Sequence, residues 1–304
     1  MPPRYRIPLI IAIIVLVVVV AAILRLRHFA LLGEAPPEVK RVMGPVAGAV
    51  TSDMLNRLPV ARRGIDCSED VRGADLTVLA KNVRYVGRYY SSTNPRKCLT
   101  RSEAVAITRA GMRIWVVFQN GARTRKSFSA ALGARDGEFA WNAAQKVGQP
   151  GGSAIFFAVD YDPPADDISG FILPYFDNLE LGMERARASW SKTHQGNAPR
   201  YAIGIYGTPK SLIAITQDPV RRFTLPPVKW LALPPLFKSP TEAAAYYTYH
   251  KQRQWTMWQI GEMAISHRVG QPKIGFPCDG NEIGPLPNGS FTVPPSQSRR
   301  GATR

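Results

Sequence analysis

The sequence predicts an α/β barrel of eight strands, and three observations lead to this prediction. From Arg63 onwards, short apolar runs alternate with helical patterns, which is the order of a parallel sheet covered by helices. About 220 residues hold eight such runs. The 304-residue chain has 45% hydrophobic content, which is enough for one large domain. Together these features favour a (β/α)₈ barrel of the TIM type.

The eight apolar runs and the helical patterns follow one another along the chain. The predicted strands are Gly64–Asp66, Tyr85–Tyr90, Arg113–Gln119, Ile155–Asp160, Tyr201–Tyr206, Lys229–Leu233, Trp255–Ile260 and a weaker Lys273–Asp279. The predicted helices are Ala74–Ala80, Arg101–Ala110, Glu138–Val147, Ile168–Ser191 and Thr241–His250. Thr100 and Glu103 form a capping box before the second helix, and Gly111 ends it. Gly148 ends the third helix.

The fourth predicted strand carries the most informative acids. Ile155–Val159 is a continuous apolar run, typical of a fully buried strand, and Pro163 stops it. Because side chains alternate along a strand, Asp160 and Asp162 are predicted to point to the same side. They would lie at the barrel end where TIM-type enzymes place their chemistry. The alternatives are that they cap the helix starting near Asp167 or lie in a solvated turn.

The N-terminal residues predict a membrane anchor. Ile7–Leu24 is apolar and uncharged for 18 residues, a length that crosses the hydrocarbon core of a bilayer as a helix. We assign residues 1–28 to an uncleaved single-pass anchor. A cleaved signal peptide, with Ala21-Ala22 as a weak cleavage site, is the alternative. The globular domain is expected outside the cytoplasm, on the periplasmic or cell-wall side.

Three further segments complete the predicted organisation. Residues 29–62 contain prolines and glycines without a sustained pattern, so we predict a linker with one short helix around Val46–Leu58. Residues 63–283 form the predicted barrel. Residues 284–304 are rich in Pro, Ser and Arg, and we predict a disordered tail there.

The chain is strongly basic, with a formal net charge of +17. Residues 63–304 hold 31 Lys and Arg against 19 Asp and Glu, so the excess is spread over the globular part. A basic surface attracts polyanions, either an anionic cell envelope or nucleic acid. The sequence has no basic helix, zinc-finger spacing or aromatic RNA-binding signature, so we predict no specific nucleic-acid partner.

Polar or aromatic side chains lie near the C-terminal end of the predicted strands. They are Asp66, Arg88, Gln119, Asp160, Asp162, Tyr206, Trp230, Trp258, Gln259 and Asp279. Aromatic faces pack on sugar rings while acids and amides bind hydroxyls, so the set predicts a sugar site. Each has an ordinary structural alternative. The aromatic residues are often core, Arg88 can neutralise a neighbouring acid, and the two glutamines can satisfy loop backbone groups.

Six motifs in order resemble a known family. They are Gly64-Ile65-Asp66, Val86-Gly87-Arg88-Tyr89-Tyr90, Leu99-Thr100 with Glu103-Ala104, Phe156 to Asp162, Gly204-Ile205-Tyr206-Gly207 and Trp255-x-x-Trp258-Gln259. Over about Arg63–Asn281 the chain resembles a bacterial glycoside hydrolase-like domain of unknown function, which is similar to the family 25 glycoside hydrolases, the lysozyme-type muramidases. The resemblance implies a (β/α)₈-type barrel and a site for peptidoglycan or a related cell-wall glycan.

The resemblance also implies roles for four acids. In the muramidases an acid ends the first strand, an Asp-x-Glu pair ends the fourth and an Asp lies near the last. Asp66, Asp160, Asp162 and Asp279 occupy these positions, and Asp162 replaces the Glu with a side chain one methylene shorter. Our hypothesis makes Asp162 the general acid and Asp160 the group that orients the substrate's acetamido oxygen. Asp66 and Asp279 would hold the sugar or tune the pKa of those acids.

The three cysteines lie next to predicted strand ends on one rim. Cys67, Cys98 and Cys278 allow one disulfide outside the cytoplasm, and Cys98 is our first choice as a member. The four histidines show no ligand spacing, so we predict neither a metal nor another cofactor. A calcium ion on Asp160 and Asp162 and a Cys–His nucleophilic pair are minor alternatives.

Three functions follow from these features. The first is a membrane-tethered glycoside hydrolase that acts on a cell-wall glycan by acid-assisted cleavage. The second is a catalytically inactive barrel that binds the same glycan. The third is a nucleic-acid or lipid-surface binder driven by charge. We expect a monomer in each case.

Overall fold

The computed structural model describes residues 51–218, 223–233, 239–263 and 276–295. Within these ranges eight strands close into one barrel in chain order. The strands are β1 Arg63–Cys67, β2 Tyr85–Tyr90, β3 Arg113–Phe118, β4 Ala154–Ala158, β5 Ala202–Gly207, β6 Val228–Leu231, β7 Met257–Met263 and β8 Cys278–Ile283. The longer helices are α1 Leu76–Ala80, α2 Arg101–Arg109, α3 Ala130–Val147, α4 Leu173–Thr193, α5 Pro209–Thr216 and α6 Pro240–Lys251. The predicted eight-stranded α/β barrel is confirmed.

One strand departs from the predicted parallel arrangement. Strands β1 to β7 pair in parallel, whereas β8 is antiparallel to both β7 and β1. Met263 at the end of β7 pairs with Cys278 at the start of β8, so β8 begins at the end of the barrel where β7 finishes. The prediction placed Asp279 at the C-terminal end of a strand, which is wrong. Asp279 is near the start of β8 and reaches the same rim because β8 runs in the opposite direction.

The helices follow their local signals with two differences. The Thr100 hydroxyl accepts a hydrogen bond from the Glu103 amide, as the capping box predicts. Gly148 takes the left-handed conformation (φ 82°) that ends α3. This helix starts at Ala130, eight residues before the predicted start, because Ser129 caps it. Helix α5 was not predicted, since its eight residues give too few turns for a clear periodicity.

Large aromatic side chains fill the barrel, and glycines on neighbouring strands make room for them. Trp115, Phe156 and Trp230 are at most 1% exposed. Trp230 meets Trp115 and Phe156 edge to face at 5.6 and 5.7 Å between ring centroids. A Cβ added at Gly87 would lie 2.5 Å from Trp115, and one at Gly204 would lie 2.5 Å from Phe156. The interior is therefore a packed core, and a ligand has access only at the barrel ends.

The packed domain extends beyond the predicted boundaries 63 and 283. Residues 51–57 are helical, and Leu55 there is fully buried. The predicted disordered tail 284–304 needs correction for residues 284–295, because Phe291 is buried and pairs with Ile114 at the start of β3. Anchor residues 1–28 lie outside the described residues. None of the helices in the described ranges combines the length and hydropathy that a membrane span needs.

Candidate active site

The mouth of the barrel is the end at which β1 to β7 finish and β8 begins. Asp66 on β1, Tyr89 on β2, Tyr206 on β5 and Asp279 on β8 lie at this end, and Asp160 comes two residues after β4. Strand ends that meet on one rim bring residues distant in sequence together. The contacts of these five side chains define the candidate site.

Asp66 is a buried carboxylate, with 2% of the residue exposed. The Tyr89 hydroxyl donates to its Oδ1 at 2.9 Å, and the Asn281 side-chain amide donates to its Oδ2 at 2.7 Å. Burial raises the pKa of Asp66 to about 6; the two donors oppose this rise, and the nearby Asp160 carboxylate adds to it. Asp66 therefore takes up a proton closer to neutral pH than an ordinary Asp does.

Asn281 owes its orientation to Trp230. The indole Nε1 of Trp230 donates to Asn281 Oδ1 at 2.9 Å, which turns Asn281 Nδ2 towards Asp66. The same Nδ2 donates to the backbone oxygen of Asp279 at 3.2 Å. Sequence reasoning missed Tyr89 and Asn281 as site residues. A signal existed for Asn281, because it is two residues from Asp279 on a strand and so points to the same side.

Asp160 lies between a glutamine and an arginine. Gln119 Nε2 and Arg123 Nε donate to its Oδ2 at 3.1 and 3.2 Å. Lys97 Nζ donates in turn to Gln119 Oε1 at 3.1 Å. Burial raises the pKa of Asp160, although Arg123, Lys97 and Gln119 each act in the opposite direction. About a quarter of its side chain remains exposed (26%), so the carboxyl group is accessible from the mouth.

Tyr206 is connected to Asp279 through Gln259. Its hydroxyl donates to Gln259 Oε1 at 2.8 Å, and Gln259 Nε2 donates to Asp279 Oδ2 at 2.6 Å. Burial raises the pKa of Tyr206 well above its usual value, and the charges of Asp160, Asp279 and Asp66 raise it further. The Tyr206 hydroxyl is thus a neutral donor within electrostatic range of three carboxylates.

Asp162 has a different environment from Asp160. Because β4 ends at Ala158, both acids lie in the following loop, and strand alternation does not orient them as predicted. Lys210 on α5 forms an ion pair with Asp162 at 3.2 Å and also donates to the Pro163 backbone oxygen. In the ranges that the structure describes, no three His, Cys, Asp or Glu side chains are grouped to hold a metal ion.

Three predicted substrate-binding residues lie away from the acids of the mouth. Arg88 is fully buried and forms an ion pair with Glu103 at 2.6 Å. It therefore neutralises a neighbouring acid, which was the structural alternative for this residue. Trp230 is core and acts on the site indirectly, by donating to Asn281 and by packing edge to face against Tyr206 at 4.7 Å between ring centroids. Trp258 packs on α6 outside the barrel, where its Nε1 donates to the Tyr246 hydroxyl at 2.9 Å. None of the three reaches a ligand at the mouth directly.

The disulfide differs from the predicted one. Cys67 and Cys278 are bonded to each other, and Cys98 is a free thiol. The first choice of Cys98 was wrong because β8 runs antiparallel to β1, which makes Cys67 and Cys278 direct register partners. The bond crosslinks the two strands one residue away from Asp66 and Asp279. It therefore stabilises the part of the rim that carries these acids.

A closed α/β barrel with acids gathered at its mouth is the architecture of a glycoside hydrolase-like protein. Residues 76–276 match the family described as Rv2525c-like, glycoside hydrolase-like domain, and the chain belongs to this family. The resemblance found in the sequence is thereby confirmed.

Individual proteins are also similar to the chain, with sequence identities of 30% or less. The uncharacterized Bacillus subtilis (strain 168) proteins YbfG and FadG are 30% identical over 116 residues and 23% identical over 248 residues. These matches cover 38% and 79% of this chain but only 15% and 39% of the two relatives. The crystal structure of the Mycobacterium tuberculosis Tat-secreted protein Rv2525c with L-tartrate has a TM-score of 0.51 and 18% identity, over 75% of this chain and 98% of that one. This last likeness concerns the fold.

Proposed function

We propose that the protein hydrolyses a glycosidic bond in a cell-wall glycan, with peptidoglycan as the first candidate substrate. The observation that carries the proposal is that Asp66, Asp160 and Asp279 lie at the barrel mouth together with Tyr206, whose hydroxyl reaches Asp279 through Gln259. Glycoside hydrolysis needs a carboxyl group that is protonated near neutral pH and a second polar group that stabilises the sugar cation or attacks it. A barrel mouth with several acids in different environments supplies both.

Asp160 is the carboxyl group that the geometry favours as the proton donor. Its pKa is raised by burial, and it is accessible from the mouth. Asp66 also has a raised pKa, but it is buried and both of its oxygens accept hydrogen bonds. Asp162 forms an ion pair with Lys210 in the loop after β4, and we assign it the role of orienting a substrate dipole. The proposal thus exchanges the roles that the sequence suggested for Asp160 and Asp162.

The remaining groups of the mouth would hold the sugar. Gln119, Gln259 and Asp279 can exchange hydrogen bonds with sugar hydroxyls and the acetamido group. Tyr206 remains a donor at all physiological pH values because its pKa is raised. Asp66 would act indirectly, because its carboxylate fixes the positions of Tyr89 and Asn281.

A cell-wall substrate also assigns a location to the protein. We place the barrel outside the cytoplasm and tethered to the membrane through the predicted anchor at residues 1–28. The apolar stretch Ile7–Leu24 and the Cys67–Cys278 disulfide support this placement, because disulfides persist in oxidising compartments.

The Asp162–Lys210 ion pair favours one second candidate, a glycan-binding barrel without catalysis. The resembling muramidases have a Glu where this chain has Asp162, and here that shorter acid is paired with a lysine. Such a protein would keep the hydrogen-bonding groups of the mouth while lacking a competent acid at this position.

Digestion of purified peptidoglycan distinguishes the two candidates. The wild-type chain should release soluble fragments with new reducing ends, and Asp160→Asn should release them at least about a hundredfold more slowly. Both proteins should co-sediment with insoluble glycan to the same extent, since Asn keeps the shape of Asp. Co-sedimentation without release by the wild type would reject the hydrolase and leave the binding barrel. If the wild type neither releases fragments nor co-sediments with the glycan, both candidates are rejected.

A further inference from the structure

The end of the barrel opposite the mouth carries a row of arginines. Arg63, Arg84 and Arg113 stand at or directly before the starts of β1, β2 and β3. Their backbones are bonded in sequence across the sheet, since the Arg84 amide donates to the Arg63 carbonyl and the Arg113 amide donates to the Arg84 carbonyl, both at 3.0 Å. Like charges placed side by side repel one another, so the row has a cost in stability.

These guanidinium groups are bonded mainly to neutral carbonyl oxygens. Arg63 donates to the Leu58 carbonyl at 2.7 Å, Arg84 to the Gly111 carbonyl, and Arg113 to the Ser290 carbonyl at 2.7 Å. Carbonyls satisfy donors without cancelling the positive charge. The nearby Glu282 is already shared between Arg62 and Arg253.

The same end of the barrel contains an open cavity of about 520 Å³. Arg62, Tyr85 and Arg113 line one side of it, and residues 283–290 line the other. Two apolar side chains project beside it, namely Leu286, which is 43% exposed, and Val60, which is 36% exposed. Arg109, in the last turn of α2, is exposed at this end as well. We call this surface, made of Val60, Arg62, Arg84, Arg109, Arg113 and Leu286, the arginine face.

We propose that the arginine face docks on a bilayer of anionic phospholipid, with a phosphate headgroup in the cavity. Guanidinium groups bind phosphate through paired, charge-assisted hydrogen bonds. Val60 and Leu286 would enter the interfacial layer, as apolar residues beside a basic patch do in peripheral membrane proteins. The apolar side chains favour a lipid surface over nucleic acid, which would gain nothing from them.

Docking through this face fixes the direction of the mouth. Asp160 and Tyr206 lie at the other end of the barrel, so a docked barrel would point them away from the bilayer. An extracytoplasmic polymer would then reach the acids while the domain stays on the membrane. The proposal stands on the arginines, the cavity and the exposed apolar residues, and it does not depend on glycan hydrolysis.

A fluorescence measurement on the full chain tests the proposal. A solvatochromic dye is attached to Leu286→Cys in a Cys98→Ser background, and a second preparation carries it on Thr124→Cys near the mouth. Each is reconstituted in vesicles of phosphatidylcholine alone or of equal parts phosphatidylcholine and phosphatidylglycerol. The dye at position 286 should report an apolar environment only in the anionic vesicles, and the dye at 124 should report water in both. Equal signals from position 286 in the two vesicle types would overturn the proposal.

Charge variants identify the face that is responsible. Each arginine near an anionic bilayer strengthens binding about fivefold, so Arg84→Gln with Arg109→Gln should weaken docking by roughly twentyfold and reduce its salt sensitivity. Arg96→Gln with Arg125→Gln removes the same charge from exposed loops at the mouth and should leave docking unchanged. Equal losses in the two variants would reject the face. Competition by duplex DNA as effective as by anionic vesicles would reject lipid as its partner.

Discussion

Asp66 on β1 and Asp279 on β8 are register partners in the antiparallel pair that closes the barrel. Opposed carboxylates on neighbouring strands normally destabilise a sheet. Here each carboxylate accepts hydrogen bonds from neutral side chains: Asn281 and Tyr89 donate to Asp66, and Gln259 donates to Asp279. The cost of bringing the two acids together is offset by neutral groups, and this keeps negative charge at the mouth available to a ligand.

The raised pKa of Asp66 predicts that stability increases as the pH falls. The group is buried and its folded pKa is about 6 against 3.8 unfolded, so the folded state binds the proton more tightly. Its ionisation costs about 3 kcal/mol of stability at neutral pH, and this cost disappears as the pH falls through about 6 towards 4. The free energy of unfolding, measured by urea denaturation, should therefore increase when the pH is lowered from about 7.5 to about 5.

Matched variants assign that rise to Asp66. Asp66→Asn cannot take up the proton, so its free energy of unfolding should increase less when the pH is lowered over the same range. Glu138→Gln removes an exposed carboxyl group from α3 and should keep the wild-type rise. An Asp66→Asn protein whose stability changes with pH as much as that of the wild type would show that another group is responsible.

Arg88 should prove structural. Arg88→Met leaves Glu103 buried without its cation, which should cost about 3–5 kcal/mol in the free energy of unfolding. The double variant with Glu103→Met should recover most of this loss, because it removes the unpaired charge as well. Glycan co-sedimentation by the folded double variant should equal that of the wild type. Loss of glycan binding in the stable double variant would restore Arg88 as a ligand.

The disulfide pairing can be checked by counting thiols. Before reduction, a native sample of the protein should alkylate at Cys98 only, and after unfolding and reduction at all three cysteines. Because the bond closes a loop of 211 residues, Cys67→Ser with Cys278→Ser should lower the free energy of unfolding by about 2–5 kcal/mol. Cys98→Ser should have little effect. Three thiols reactive before reduction would contradict the pairing.

Gly87 should be intolerant of even a methyl group. A Cβ there would come within 2.6 Å of both Trp115 and Asp66 Cβ, so Gly87→Ala should destabilise the fold by about 1–3 kcal/mol or more. Gly170→Ala is the control, since its added Cβ would meet no atom within 4 Å. Thermal unfolding of both variants measures the difference, and equal midpoints would contradict tight packing around Gly87.

Sequence patterns determined most of the barrel but little of its site geometry. The buried strand around Phe156 and the Thr100 cap were predictable because local composition decides them. The direction of β8 was not, since a strand has the same pattern in either direction. Arg88 and Trp258 looked available for binding because a pattern of residues near strand ends does not tell which face of the strand each occupies. The Lys210–Asp162 pair joins α5 to the loop after β4 and leaves no trace in local sequence.

The proposed role of Asp160 as proton donor to the leaving oxygen can be measured through the dependence of the cleavage rate on the leaving group. Hydrolysis of a dinitrophenyl glycoside needs no proton donor, whereas cleavage of the natural glycan does. Asp160→Asn should therefore slow cleavage of the glycan at least about a hundredfold and leave the activated glycoside within a fewfold of the wild type. Asp162→Asn should slow both substrates alike. If Asp160→Asn slows both equally, or if Asp162→Asn shows the selective loss instead, the assignment of the acid is contradicted.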